Sequence, residues 1–125
     1  MRKTLFPLLV ALLCLGGCKK QAGPMQVAEE YYGMLVRGDV DSYLCGMADY
    51  ESMPDDYRAQ LRDMFLDYLD REQRLRQGLV GVRALRDTLI GNDQAHVFLE
   101  VTFADSTREQ VTLPLVKTTD GWRMR

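Results

Sequence analysis

The chain is expected to adopt an α+β fold, with three N-terminal helices followed by a four-stranded antiparallel sheet. Three features of the sequence predict it. Apolar residues recur at helical spacing through the first half, and strict two-residue alternation replaces that period in the second. Turn residues separate the alternating runs. Helices first and strands second is an α+β plan, and 125 residues suit one domain with one core.

Val27, Tyr31, Met34 and Leu35 set the apolar stripe of the first helix, and Gly38 is placed to stop it. Gly33 inside this helix suggests close packing against another backbone. Asp39 is placed to cap a short helix through Val40, Tyr43, Leu44 and Met47. Pro54, Asp55 and Asp56 open a third, longer helix whose stripe is Tyr57, Leu61, Met64, Phe65, Tyr68 and Leu69, ending near Leu75. Three acid-first pairs four residues apart, Asp67–Arg71, Asp70–Arg74 and Glu72–Arg76, read as a solvated charge ladder, with a docking surface as the alternative.

The run Val80 to Ile90 ends at the turn Gly91-Asn92-Asp93. Ala95, Val97, Leu99, Val101 and Phe103 alternate without a break. Val111, Leu113 and Leu115 alternate again after a turn, and Pro114 among them predicts a bulge or an edge. Thr119-Asp120-Gly121 makes the last turn and directs Trp122 and Met124 to the core.

The first 17 residues have the layout of a secretory signal peptide. Arg2 and Lys3 are positive, Leu5 to Leu15 are mostly apolar, and Gly16 and Gly17 are small. Leu15-Gly16-Gly17-Cys18 resembles the lipobox of bacterial lipoproteins. That resemblance implies cleavage between Gly17 and Cys18 and lipidation of the Cys18 sulfur. Residues 18–24 then form a lipid-anchored tether and 25–125 a single domain. Several acyl chains, at about 0.8 kcal/mol per buried methylene, would hold the protein on a membrane. The expected location is the cell envelope of a Gram-negative bacterium, facing the periplasm. Lys19 after the cysteine points to the outer membrane rather than the inner one.

Cys14 leaves with the leader and Cys18 becomes a thioether, so Cys45 has no disulfide partner and reads as a small buried residue. Without Arg2 and Lys3, 14 basic residues face 18 acidic ones, and the domain carries about −4. Nothing suggests nucleic acid as a partner. One histidine and no CxxC pair give no metal set, and no cofactor is expected.

Three helices, then four strands, with "GDVDSY" between the first two helices and "LVKTTDGWRMR" at the end, resemble small bacterial lipoproteins of unknown function with the nuclear transport factor 2-like (cystatin-like, SnoaL-like) fold. The resemblance covers Pro24 to Arg125 and implies a curved sheet wrapped round a long helix as a cone. Its wider superfamily includes isomerase-like and dehydratase-like enzymes, whose cones hold a Tyr, an Asp or a His–Asp pair. By alternation His96 points away from the cone. Asp39 and Asp41 are better explained as capping residues than as catalytic carboxylates. Tyr31, Tyr32, Tyr43, Tyr50, Phe103 and Trp122 could line a pocket or fill the core. No catalytic residue is singled out. The first expectation is a non-catalytic module that binds a protein partner, self-associates or assembles at the envelope. A small-molecule binder using the cone is the alternative, and an isomerase or dehydratase the more remote one.

Overall fold

The computed structural model describes residues 22–125, so the signal peptide, its cleavage site and Cys18 lie outside the described residues. Helix α1 runs Pro24–Val36, α2 Val40–Cys45 and α3 Asp55–Arg76, with a single 3-10 turn at Tyr50–Ser52 before α3. Four strands follow: β1 Leu79–Ile90, β2 Gln94–Phe103, β3 Arg108–Thr118 and β4 Gly121–Met124. They form one antiparallel sheet in the order β1-β2-β3-β4. The three helices cover one face of it, as expected. No helix among the described residues is long and apolar enough to cross a membrane.

Helix α1 starts on Pro24, whose missing N–H falls where a helix needs none. It ends where Gly38 takes φ +82°, a conformation that costs glycine little. The Gly38 and Asp39 amides then bond back to the carbonyls of Leu35 and Met34. Its buried residues are Ala28, Tyr32 and Leu35. Val27, Tyr31 and Met34 are only half-buried, one step round the helix. Gly33 does not mark close packing: a Cβ there would meet only the Arg37 guanidinium, at 3.6 Å.

Asp39 caps α2 by accepting a hydrogen bond from the Ser42 amide at 3.2 Å. Val40, Tyr43 and Leu44 turn inward. Cys45 is exposed rather than buried, because it lies four residues after exposed Asp41 on the solvent side of this helix. Asp41 makes an ion pair with Arg62 of α3 at 2.9 Å, so only Asp39 of the two caps.

The charge ladder on α3 is only partly solvated. Asp70–Arg74 is an exposed pair at 3.3 Å. Glu72, by contrast, is 6% exposed and stands 3.2 Å from Arg76. Asp67 and Arg71 do not pair. Arg71 lies 3.6 Å from Glu72 instead. Arg76 also reaches Glu109 of β3 at 3.3 Å and stacks over the Phe103 ring at 4.4 Å. The helix end is thereby bound to the rim of the sheet.

In β2 every second side chain is buried, from Ala95 to Phe103, while Gln94, His96, Phe98, Glu100 and Thr102 take the outer face. Irregularities between Leu79 and Gly81 and between Ala84 and Arg86 bend β1. Pro114 causes no bulge, since β2 and β3 pair in unbroken register. The Pro114 carbonyl accepts from the Arg125 amide, so its nitrogen also points away from β2. β4 pairs only as far as Leu115–Met124. The missing donor therefore falls where β3 is locally an edge.

The helices pack on the face of the sheet that carries Ala95 to Phe103. Phe103, Leu35, Leu44, Leu99, Leu115 and Met124 are the largest fully buried side chains. Burying each stabilises the fold by about 1.5–3 kcal/mol. Tyr43 sets its ring edge-on to both Tyr32 and Phe65, with centroids 6.3 and 4.9 Å away.

Candidate functional site

The six aromatic residues expected to line one pocket separate into two groups. Tyr32, Tyr43 and Phe103 belong to the core, and Tyr50 packs against it from the turn before α3. Arg58 covers the Tyr50 ring at 5.2 Å. The Tyr32 and Tyr68 hydroxyls share a hydrogen bond at 3.2 Å. Burial, and then that bond, push the Tyr32 phenol far above its ordinary value. Burial pushes Tyr43 up to about 12, and it raises Tyr68 as well. All three stay neutral at physiological pH. Tyr32, Tyr43 and Phe103 thus help fill the interior between the helices and the sheet.

Tyr31 and Trp122 meet elsewhere. They line an open cleft of about 370 Å³ between α1 and the β3–β4 turn, together with Ala22, Val27, Glu30, Met34, Asp120 and Gly121. A second cleft, of about 180 Å³, lies at the other end of α1 between Val36 and Gln73. Neither includes Tyr32, Tyr43, Tyr50 or Phe103.

Local sequence builds the larger cleft. Val27, Tyr31 and Met34 are half-buried beside the core face of α1, and their exposed parts give the cleft an apolar wall. Thr119 and Asp120 form a two-residue hairpin closed by the Thr118–Gly121 pair, with Gly121 at φ +107°. The Thr118 hydroxyl accepts from the Asp120 amide and donates to the Gly121 carbonyl, fixing the turn. Tyr31 is held from behind by Gly46, where an added Cβ would collide with its ring. The amides of Ala48 and Met124 bond to the carbonyls of Met124 and Gly46, tying this loop to β4.

The cleft's charged lining residues are both acidic, Glu30 and Asp120. Lys117, opposite Trp122 across the hairpin, brings its ammonium to 6.0 Å from the indole centroid. Two aromatic faces, two carboxylates and an apolar wall suit a cationic group carried on an apolar stem. The aromatic types marked Tyr31 and Trp122 in the sequence. Glu30 and Asp120 carried no signal, because one is a surface acid on a helix and the other a turn residue.

Other candidates stay apart. His96 is on the outer face of the sheet and Cys45 on the helical side. Among the described residues no three His, Cys, Asp or Glu side chains gather closely enough to hold a metal ion.

No protein-family model and no curated protein matches the chain. Among solved structures it is similar to a Campylobacter jejuni protein provisionally described as an NTF2-like transpeptidase. The TM-score is 0.65 at 18% identity, covering 82% of this chain and 97% of that one. The fold is therefore nuclear transport factor 2-like, three helices against an open four-stranded antiparallel sheet.

Proposed function

We propose that the chain is a lipid-anchored, non-catalytic binding module of the bacterial envelope, and that the cleft between α1 and the β3–β4 turn holds a basic segment of a protein partner. The observation that carries this reading is the contrast between a filled cone and an open, acidic, aromatic cleft. The cleft begins at Ala22, four residues after Cys18, so an anchored chain would present it close to the membrane.

Transpeptidation by an acyl-enzyme route does not carry over from the neighbour's description. It needs an activated nucleophile. None of Ser42, Ser52 and Ser106 has lysine three residues later, and Cys45 and His96 lie on opposite sides of the sheet. A cone-bound small molecule is likewise disfavoured by Tyr32, Tyr43 and Phe103 filling that space.

Trp122 is the single tryptophan and lines the cleft, so its emission reports binding there. Titrating the full chain with acetyl-Leu-Lys-Leu-amide should change that emission saturably. The norleucine analogue should bind much more weakly. Glu30→Gln and Asp120→Asn should each weaken the lysine peptide by up to about fivefold, the scale of an exposed ion pair. Equal responses to the lysine and norleucine peptides would overturn the basic-segment reading.

A further inference from the structure

Helix α3 is 22 residues long, about 33 Å, and buries little besides Leu61 and Glu72. Its core side carries those two residues with half-buried Phe65 and Leu69. Beside that face runs a second apolar line. Tyr57, Met64 and Leu75 are 48, 56 and 65% exposed. At about 100° per residue the three fall within about 20° of one line along the helix. With Leu61, Tyr68 and Arg71 they alternate in steps of four and three, from 57 to 75. That spacing is the seam along which two helices interlock.

The charges beside this line are unevenly spread. Asp56, Asp63 and Asp67 flank its N-terminal part, and Arg71 and Arg74 its C-terminal part. All five are exposed. Arg74 touches Asp70 through Nε alone, which leaves its terminal nitrogens without a partner among the described residues. A flank with acid at one end and base at the other complements the same flank of a second copy run antiparallel. Run parallel about a twofold axis, it meets instead the mate's opposite side, where Phe65 and Leu69 pack against the core.

We infer that two copies of this chain pair through α3, antiparallel about a twofold axis that crosses the seam at the height of residue 66. Tyr57 of one copy then packs against Leu75 of the other, and Met64 against Tyr68. The acidic flank of each lies beside the Arg71–Arg74 flank of its mate. Such a contact is isologous, so it closes at two copies and leaves no free end. One helix seam is small for a stable interface, so the pair is readily reversible. The inference is independent of what the acidic cleft binds.

The test is thiol cross-linking of the full chain in the membranes of a Gram-negative host, in a Cys45→Ser background whose own cross-linking sets the baseline. Co-expressed Tyr57→Cys and Leu75→Cys chains should link to each other well above that baseline. Either variant alone should link to itself at least tenfold less. Met64→Glu should cut the mixed product about tenfold, whereas Leu89→Glu, an equally exposed apolar site on β1, should leave it unchanged. Self-linking of Tyr57→Cys above the mixed product means a parallel pair and overturns the proposal. So does a mixed product at baseline, or one that Met64→Glu leaves intact. Should Met64→Glu fold poorly, Leu75→Glu made in co-expressed Met64→Cys and Tyr68→Cys chains repeats the test, and their mixed product should fall about tenfold.

Discussion

Glu72 shows how much a single residue's meaning depends on its surroundings. In the sequence it is the first member of an acid–base pair four residues apart, one of three on the same helix. In the folded chain it is buried, and Arg76 neutralises it at 3.2 Å without hydrogen-bonding its Oε1. Removing one partner of a buried pair leaves the other charge uncompensated, which costs far more than losing a surface pair. Arg76 remains 31% exposed through its side chain, so solvent screens part of that cost. Arg76→Ala should lower stability by about 2–3 kcal/mol, and Arg74→Ala by no more than about 0.5 kcal/mol. The double change Glu72→Met, Arg76→Met should recover most of the loss, because it removes both charges together. Urea unfolding followed by circular dichroism measures all three. Equal effects of Arg74→Ala and Arg76→Ala would contradict the assignment.

At the scale of elements, the ends were more legible than the faces. Gly38 stops α1, Asp39 caps α2 and Pro54 precedes α3 as their residue types require, since caps and stops act through local backbone chemistry. The Asp39 cap also titrates. Its hydrogen bonds from Ser42 hold the carboxyl below its usual value. A carboxylate with a depressed folded pKa contributes stability above its unfolded value, and that contribution is lost as pH falls through the folded one. Asparagine keeps the acceptor without the proton. Asp39→Asn should therefore flatten the fall in thermal midpoint between about pH 5 and pH 3, while leaving the midpoint at pH 7 nearly unchanged. A melting series across that range checks it, and a steeper acid limb in Asp39→Asn would refute the cap's role. The face of α1 was less legible, because Val27, Ala28, Tyr31, Tyr32, Met34 and Leu35 make a stripe too broad to show its centre. Packing chose Ala28, Tyr32 and Leu35 for the core and left Tyr31 and Met34 to the cleft.

For the whole molecule, the proposed anchor and cleft make one arrangement. The proposed tether would join the domain at Ala22, where the cleft begins, so a lipid on Cys18 would fix which end faces the bilayer. Labelling cells with a fatty-acid analogue should mark the wild-type chain and leave Cys18→Ser unmarked. Equal labelling would remove the anchor from the proposed function while leaving the cleft and the α3 seam to be tested separately. The fold itself adds a constraint. Tyr32 and Tyr43 are neutral phenols packed in an apolar interior, and ionising them is unfavourable until the pH is well above their ordinary range.

The order of elements and the buried alternation of β2 follow from the sequence by itself, because period, caps and turns are written in neighbours along the chain. Which aromatic residues share a space was decided only by tertiary structure. Tyr31 and Tyr32 are adjacent in sequence, yet one lines an open cleft and the other is sealed in the core. Pro114 sits in a regular strand because β4 pairs with β3 only as far as Leu115, and Cys45 faces water because α2 turns Tyr43 and Leu44 inward. Each outcome depends on which surfaces meet, and residues far apart in the chain supply those surfaces.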